Sequence, residues 1–78
     1  MFVQIGKFFV PAERVSSVVS IGSAEGKRLK ELGEMEGKLL NLTYGKKARS
    51  VIFMDSGHVI ITSIDVEELV RLIWEGKP

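Results

Sequence analysis

Seventy-eight residues with no cysteine and one histidine make a single small domain and exclude a disulfide framework or a thiolate zinc site. Nothing approaches the roughly 20 apolar residues of a membrane-spanning helix, and "MFVQIGKFFVPAERV" holds no apolar run of signal-peptide length, so a cytoplasmic, non-membrane protein is expected. The net charge of +1 points to no partner, but its distribution is uneven: residues 1–49 hold nine Lys/Arg against five Glu, and residues 50–78 hold two against five acids.

The first element in chain order is "FVQIGKFFV", which reads as a β-hairpin around Gly6–Lys7 and is closed by Pro11. "RVSSVVSI" fits both a period of two and a helical period; its serines and β-branched valines favour a strand. Ser23 offers an N-cap, and Leu29, Leu32 and Met35 recur at helical spacing, which predicts a helix over 24–36 ended by Gly37. Gly26 and Gly33 each weaken that helix by about 1 kcal/mol. "KLLNLTY" reads as a strand.

"RSVIFMD" and "HVIITSI" form the clearest hairpin, with Ser56–Gly57 as a two-residue turn. That turn pairs Met54 with Val59 and Ile52 with Ile61 on one face, and Phe53 with Ile60 and Val51 with Thr62 on the other. Both faces are largely apolar, so both need cover. The last element is the one strongly amphipathic helix. Asp65 with Glu68 makes a capping box, Ile64 with Leu69 a hydrophobic staple, and Val66, Leu69, Val70, Ile73 and Trp74 an apolar stripe. One helix covers one face, which leaves the other to a partner subunit. A hydrophobic content of 45% in so short a chain points the same way. The expected fold is α+β: a small antiparallel sheet with one mid-chain helix and a C-terminal amphipathic helix, in one domain over 1–78.

Catalytic and cofactor chemistry finds little support. "GSAEGKR" opens a helix after an apolar strand, but Gly22 and Gly26 are one residue too close for a phosphate-binding P-loop, and Arg28 stands where a Mg²⁺-binding hydroxyl is needed. Asp55, Ser56 and His58 are the residue types of a hydrolase triad. Near-neighbours in a turn do not form the fixed line such a triad requires, and Asp55 facing His58 as a cross-strand polar pair is the simpler reading. Glu31, Glu34 and Glu36 among Lys27, Arg28, Lys30 and Lys38 make a solvated helix face. Trp74 belongs to a core or interface, whereas Tyr44 abuts a basic loop and is open to other roles. No enzyme activity, cofactor, metal or small-molecule substrate is expected.

That basic loop is the distinctive feature. "TYGKKARS" places Lys46, Lys47 and Arg49 within four positions, with no acid along the chain until Asp55. One reading is an edge-protecting, solubilising loop, since lysines blunt exposed strand ends. The other is phosphate contact along a nucleic-acid backbone, weak for one loop and additive when repeated around an oligomer.

The stretch "TYGKKARSVIFMDSGHVIITS", residues 43–63, resembles the central motif of the RemA family of extracellular-matrix regulators. That motif runs Thr-Tyr-Gly, two basic residues, a spacer and Arg, then an apolar strand into Met-Asp-Ser-x-His-Val-Ile. "ERVSSVVSIGSAEGKRLK" is similar to the family's Arg-containing strand and its approach to a basic helix. The resemblance implies a small bacterial DNA-binding transcriptional regulator of biofilm-matrix and osmoprotection genes, with a LytTR-like fold. It also implies a homo-oligomeric ring whose basic rim meets double-stranded DNA. The DNA-contacting positions implied are Arg14, Lys46 and Lys47, with Arg49 on the motif's Arg. Three features depart from the family pattern. Lys46–Lys47 replaces a common Arg-Arg and loses the bidentate fork. Gly57 replaces a common acid, and "GSAEGK" lacks the usual prolines.

Overall fold

A computed structural model describes residues 1–75; the remaining residues of the expected 1–78 domain lie outside the described residues. Strands β1 (Phe2–Ile5) and β2 (Phe8–Pro11) form the expected hairpin, with Val3 opposite Val10 and Ile5 opposite Phe8. A short 3-10 turn, Ala12–Arg14, leads into β3 (Val15–Ser20), so the ambiguous valine-serine segment is a strand. Helix α1 spans Ala24–Glu36, the bounds its caps predict. The Ser23 hydroxyl accepts from the Gly26 N–H at 3.0 Å, and Gly37 is the left-handed C-cap.

Strands β4 (Leu39–Leu42), β5 (Ser50–Met54) and β6 (Val59–Thr62) complete a four-stranded sheet in the order β3-β5-β6-β4. The β3–β5 and β5–β6 pairs are antiparallel, but β4 runs parallel to β6, so the sheet is mixed at one edge. The antiparallel expectation fails there because β4 enters the sheet directly from α1: a strand–helix order does not say which neighbour the strand will choose.

The β5–β6 register also differs by one residue from the two-residue turn expected. Phe53 faces Val59, Ile52 faces Ile60, and Val51 faces Ile61. The connection is the three-residue Asp55-Ser56-Gly57. Gly57 has a φ of +91° and donates its N–H to the Met54 carbonyl at 3.0 Å, while the Met54 N–H reaches the His58 carbonyl at 2.9 Å. A left-handed glycine in third place is what such a loop uses. With apolar residues on both faces the hydrophobic pattern cannot discriminate a slip of one, so the turn and the flanking strands set the register.

The chain itself covers both faces of this hairpin, which removes the reason for invoking a partner subunit as the second cover. On one side Ile52, Met54, Ile60 and Leu42 pack with Val3, Ile5 and Val10 of the N-terminal hairpin and with Leu69 and Ile73 of the C-terminal helix. On the other, Val51, Val59 and Ile61 pack against Leu29 of α1. Gly26 and Gly33 make the second contact possible. A Cβ at Gly26 would lie 2.1 Å from the Ser20 carbonyl oxygen, and one at Gly33 would lie 2.9 Å from the Val59 Cβ. The two glycines that look like helix defects are where the helix meets the sheet.

Helix α2 (Val66–Val70) continues as a π-turn over Arg71–Glu75. Ile64 packs on the same cluster as the fully buried Leu69, as the staple requires. The capping box does not form, since the Asp65 side chain makes no bond to the helix. The wider π-turn shifts the stripe out of phase. Ile73 stays buried, while Trp74, its expected last member, is exposed.

Candidate nucleic-acid interface

The loop between β4 and β5 is built from local chemistry. At its entry the Asn41 Oδ1 accepts both the Thr43 N–H, at 3.0 Å, and the Thr43 hydroxyl, at 2.7 Å. The Lys46 N–H then closes a turn on the Thr43 carbonyl at 3.0 Å. Tyr44 and Gly45 are its central residues, with φ of +53° and +82°. Positive φ at both central positions is the mirror-image type I′ arrangement, where Asn, Asp or Gly is usual. A tyrosine in that region is uncommon and carries strain. A long-range bond offsets it: the Tyr44 hydroxyl accepts the Lys7 backbone N–H at 3.0 Å. The basic loop is thereby tied to the turn of the β1–β2 hairpin, 37 residues away in sequence.

Lys46 and Lys47 follow this turn and are exposed. Among the described residues neither makes an ion pair with a carboxylate. Arg49 differs. Its backbone is fixed in the sheet, its N–H donating to the Thr62 carbonyl at 2.8 Å and its carbonyl accepting the Ile21 N–H at 3.0 Å. Its guanidinium Nη1 lies 2.9 Å from the Asp65 Oδ1.

Arg14 lies elsewhere. β3 and β5 are antiparallel, with Val15 opposite Met54 and Ser20 opposite Ser50, so Arg14 and Arg49 stand at opposite ends of the ladder. At the rise of a β-strand this is roughly 20 Å. The Arg14 Nη1 is 3.5 Å from the Asp55 Oδ2, and its carbonyl accepts the Asp55 N–H at 2.8 Å. Its neighbour Glu13 is a further acid, held below the ordinary carboxylate range by its hydrogen bond with the Met1 ammonium. The structure therefore brings Lys46, Lys47 and Arg49 together and leaves Arg14 apart, in mixed company.

The loop is free of acids only along the chain. In space, Asp65 and Glu68 line the same shallow depression as Lys46, Lys47 and Arg49. These acids come from the start of α2, and nothing in the loop's own sequence foretells them. Lys7 is the other residue the sequence does not single out: its exposed position on the hairpin turn is set beside the loop by the bond to Tyr44.

The polar turn of the β5–β6 hairpin holds no triad. The His58 Nδ1 is 2.8 Å from the Ser56 Oγ, but Asp55 faces Arg14, so the Asp55–His58 cross-strand pair does not form either. No group of three carboxylates or histidines among the described residues could hold a metal, and no helix among them is long and apolar enough to cross a membrane. Ser23, in the loop that resembles a P-loop, is occupied as a helix cap.

Compared with known proteins, residues 2–72 match the family described as extracellular matrix regulatory protein A-like, or RemA-like. The chain belongs to the RemA-like family. Several relatives carry names that give them a provisional regulatory role. One from Thermotoga petrophila is 39% identical over 67 residues, 86% of this chain and 73% of the relative. One from Fervidobacterium nodosum is 42% identical over 67 residues, 86% of this chain and 72% of the relative. One from Oleidesulfovibrio alaskensis is 46% identical over 61 residues, 78% of this chain and 73% of the relative. Family and relatives are described by regulation, not by a reaction.

Proposed function

We propose that this RemA-like protein is a non-enzymatic, cytoplasmic transcriptional regulator that binds double-stranded DNA as a homo-oligomer, with Lys46 and Lys47 as the principal phosphate contacts. The observation that carries this reading is the loop itself. A strained tyrosine turn, anchored from a second hairpin, presents two lysines that have no carboxylate partner among the described residues. Lysine neutralises phosphate as a point charge, so the binding is strongly ionic and only modestly selective for sequence. Arg49 and Arg14 add the bidentate forks that can reach a base edge.

Oligomerisation finds its support in a surface that the interior packing leaves over. Phe2 and Phe9 are 66% and 65% exposed, and Phe8 and Leu40 are also exposed. Phe8, Phe9 and Leu40 share an apolar groove with Leu42, Met54 and Ile60. Exposed aromatic clusters mark interaction sites. A ring of copies would multiply a weak single-loop contact. It would also allow the Arg14 end of one copy to stand beside the loop of the next. Control of biofilm-matrix and osmoprotection genes follows from the family resemblance.

The rival reading is a structural or adaptor homo-oligomer without nucleic-acid binding, favoured by the acids Asp65 and Glu68 beside the loop. Fluorescence anisotropy of labelled duplex across a salt series separates the two. Wild type is run beside the Lys46→Ala/Lys47→Ala/Arg49→Ala variant, with the mass of both measured by light scattering. Salt-sensitive binding that the equally oligomeric variant lacks supports the regulator. Assembly of both without binding supports the adaptor.

A further inference from the structure

Asp65 is the N-cap residue of α2, yet its carboxylate makes no capping bond and lies 2.9 Å from the Arg49 guanidinium instead. An unused aspartate cap forgoes a stabilising bond to the first turn of the helix. The pair that replaces it is exposed on both sides, 59% for Arg49 and 61% for Asp65, and such pairs contribute little to stability. The fold thus gives up a cap for a contact of small structural value, placed beside Lys46 and Lys47. The backbone of Arg49 is clamped to Thr62 and Ile21, so its exposed side chain swings from a fixed point on the sheet and can leave Asp65 for an incoming anion.

Building on the DNA-binding reading above, we propose that Asp65 is a positioning and specificity-determining residue, which holds Arg49 back from indiscriminate phosphate contact and releases it only to a DNA site whose paired acceptors, such as the O6 and N7 edge of guanine, outcompete the carboxylate. The carboxylate does this in two ways. It occupies the guanidinium as a phosphate oxygen would, and its own charge repels a nearby phosphate. Among the described residues Lys46 and Lys47 make no such ion pair, so they contact any duplex; Arg49 contributes only where a bidentate partner outcompetes Asp65. Arg14 shows a looser form of the same arrangement, at 3.5 Å from Asp55.

The test is a salt series of binding to a random-sequence duplex by wild type, Asp65→Asn, Arg49→Ala and the double variant. Asp65→Asn keeps the shape of the side chain and removes its charge, and the absence of a capping bond keeps the helix out of the comparison. Freeing Arg49 is expected to steepen the salt slope by about 0.9, so that the advantage of Asp65→Asn over wild type grows about 3.5-fold between 200 mM and 50 mM salt. The increment should vanish in the Arg49→Ala background, and Asp65→Glu should restore the wild-type slope. A wild type that binds with salt dependence while Asp65→Asn leaves the slope unchanged overturns this inference alone. A wild type with no salt-dependent binding overturns the DNA-binding reading and this inference with it. A thermal melt of each variant identifies any that has lost its fold, and Asp65→Ala is then the replacement, expected to give the same slope increment.

Discussion

The Tyr44 ring occupies the space that a side chain at Gly6 would need. A Cβ built on Gly6 would lie 2.1 Å from the Tyr44 Cε2, and the hydroxyl of the same ring accepts the neighbouring Lys7 N–H. Gly6 also has a φ of +62°, so two independent constraints demand glycine there. Gly6→Ala should therefore displace Tyr44 and destabilise the chain by more than the 0.5–1.5 kcal/mol or so that one hydrogen bond contributes. Tyr44→Phe keeps the ring and loses only the bond, so it should fall within that range. Urea unfolding of both variants checks the order; equal losses would mean that neither the ring contact nor the positive φ of Gly6 adds to the cost.

Salt slopes should separate Lys46 and Lys47 from Arg14. Lys46→Ala and Lys47→Ala should each lower the slope of duplex binding by about 0.9 without changing the mass of the assembly. Arg14→Ala should lower it by less, because Asp55 already pairs with that charge. An Arg14 effect equal to that of Lys46 would mean that Asp55 is displaced on binding.

The outward aromatics of the N-terminal hairpin should govern assembly. Phe9→Glu puts a charge on the apolar groove while leaving the inward Val3, Ile5 and Val10 untouched. Light scattering should show a smaller species than wild type, with an unchanged circular dichroism spectrum. Wild type running as a monomer at micromolar concentration would remove the groove from the account of assembly.

Replacing Gly26 by alanine sets two effects against each other. Helix propensity favours alanine by about 1 kcal/mol. The added methyl would lie 2.1 Å from a backbone carbonyl of β3, which can yield only if helix and sheet separate. Overpacking of this kind costs about 1–3 kcal/mol, so a net loss of stability is expected on chemical denaturation. A gain would show that α1 can slide on the sheet.

Much of this protein is legible in its sequence wherever the deciding chemistry is local. Ser23 and Gly37 bound α1 because caps act on backbone groups three or four residues away. The tight turn at Gly6 and the alternation around it mark the first hairpin. The cations of the loop are visible together because they are neighbours along the chain, and the family motif runs through the same residues. Tertiary structure decided the rest, for reasons of distance and symmetry. The β5–β6 register could not be read because both strands are apolar on both faces, so a slip of one changes no hydrophobic count. The parallel pairing of β4 depends on a competition between sheet neighbours, and the cover of both sheet faces depends on two glycines letting α1 come close. The electrostatics of the site escaped most completely. Asp65 stands 16 positions after Arg49 and reads as a helix cap, and only the folded chain turns its carboxylate toward the guanidinium.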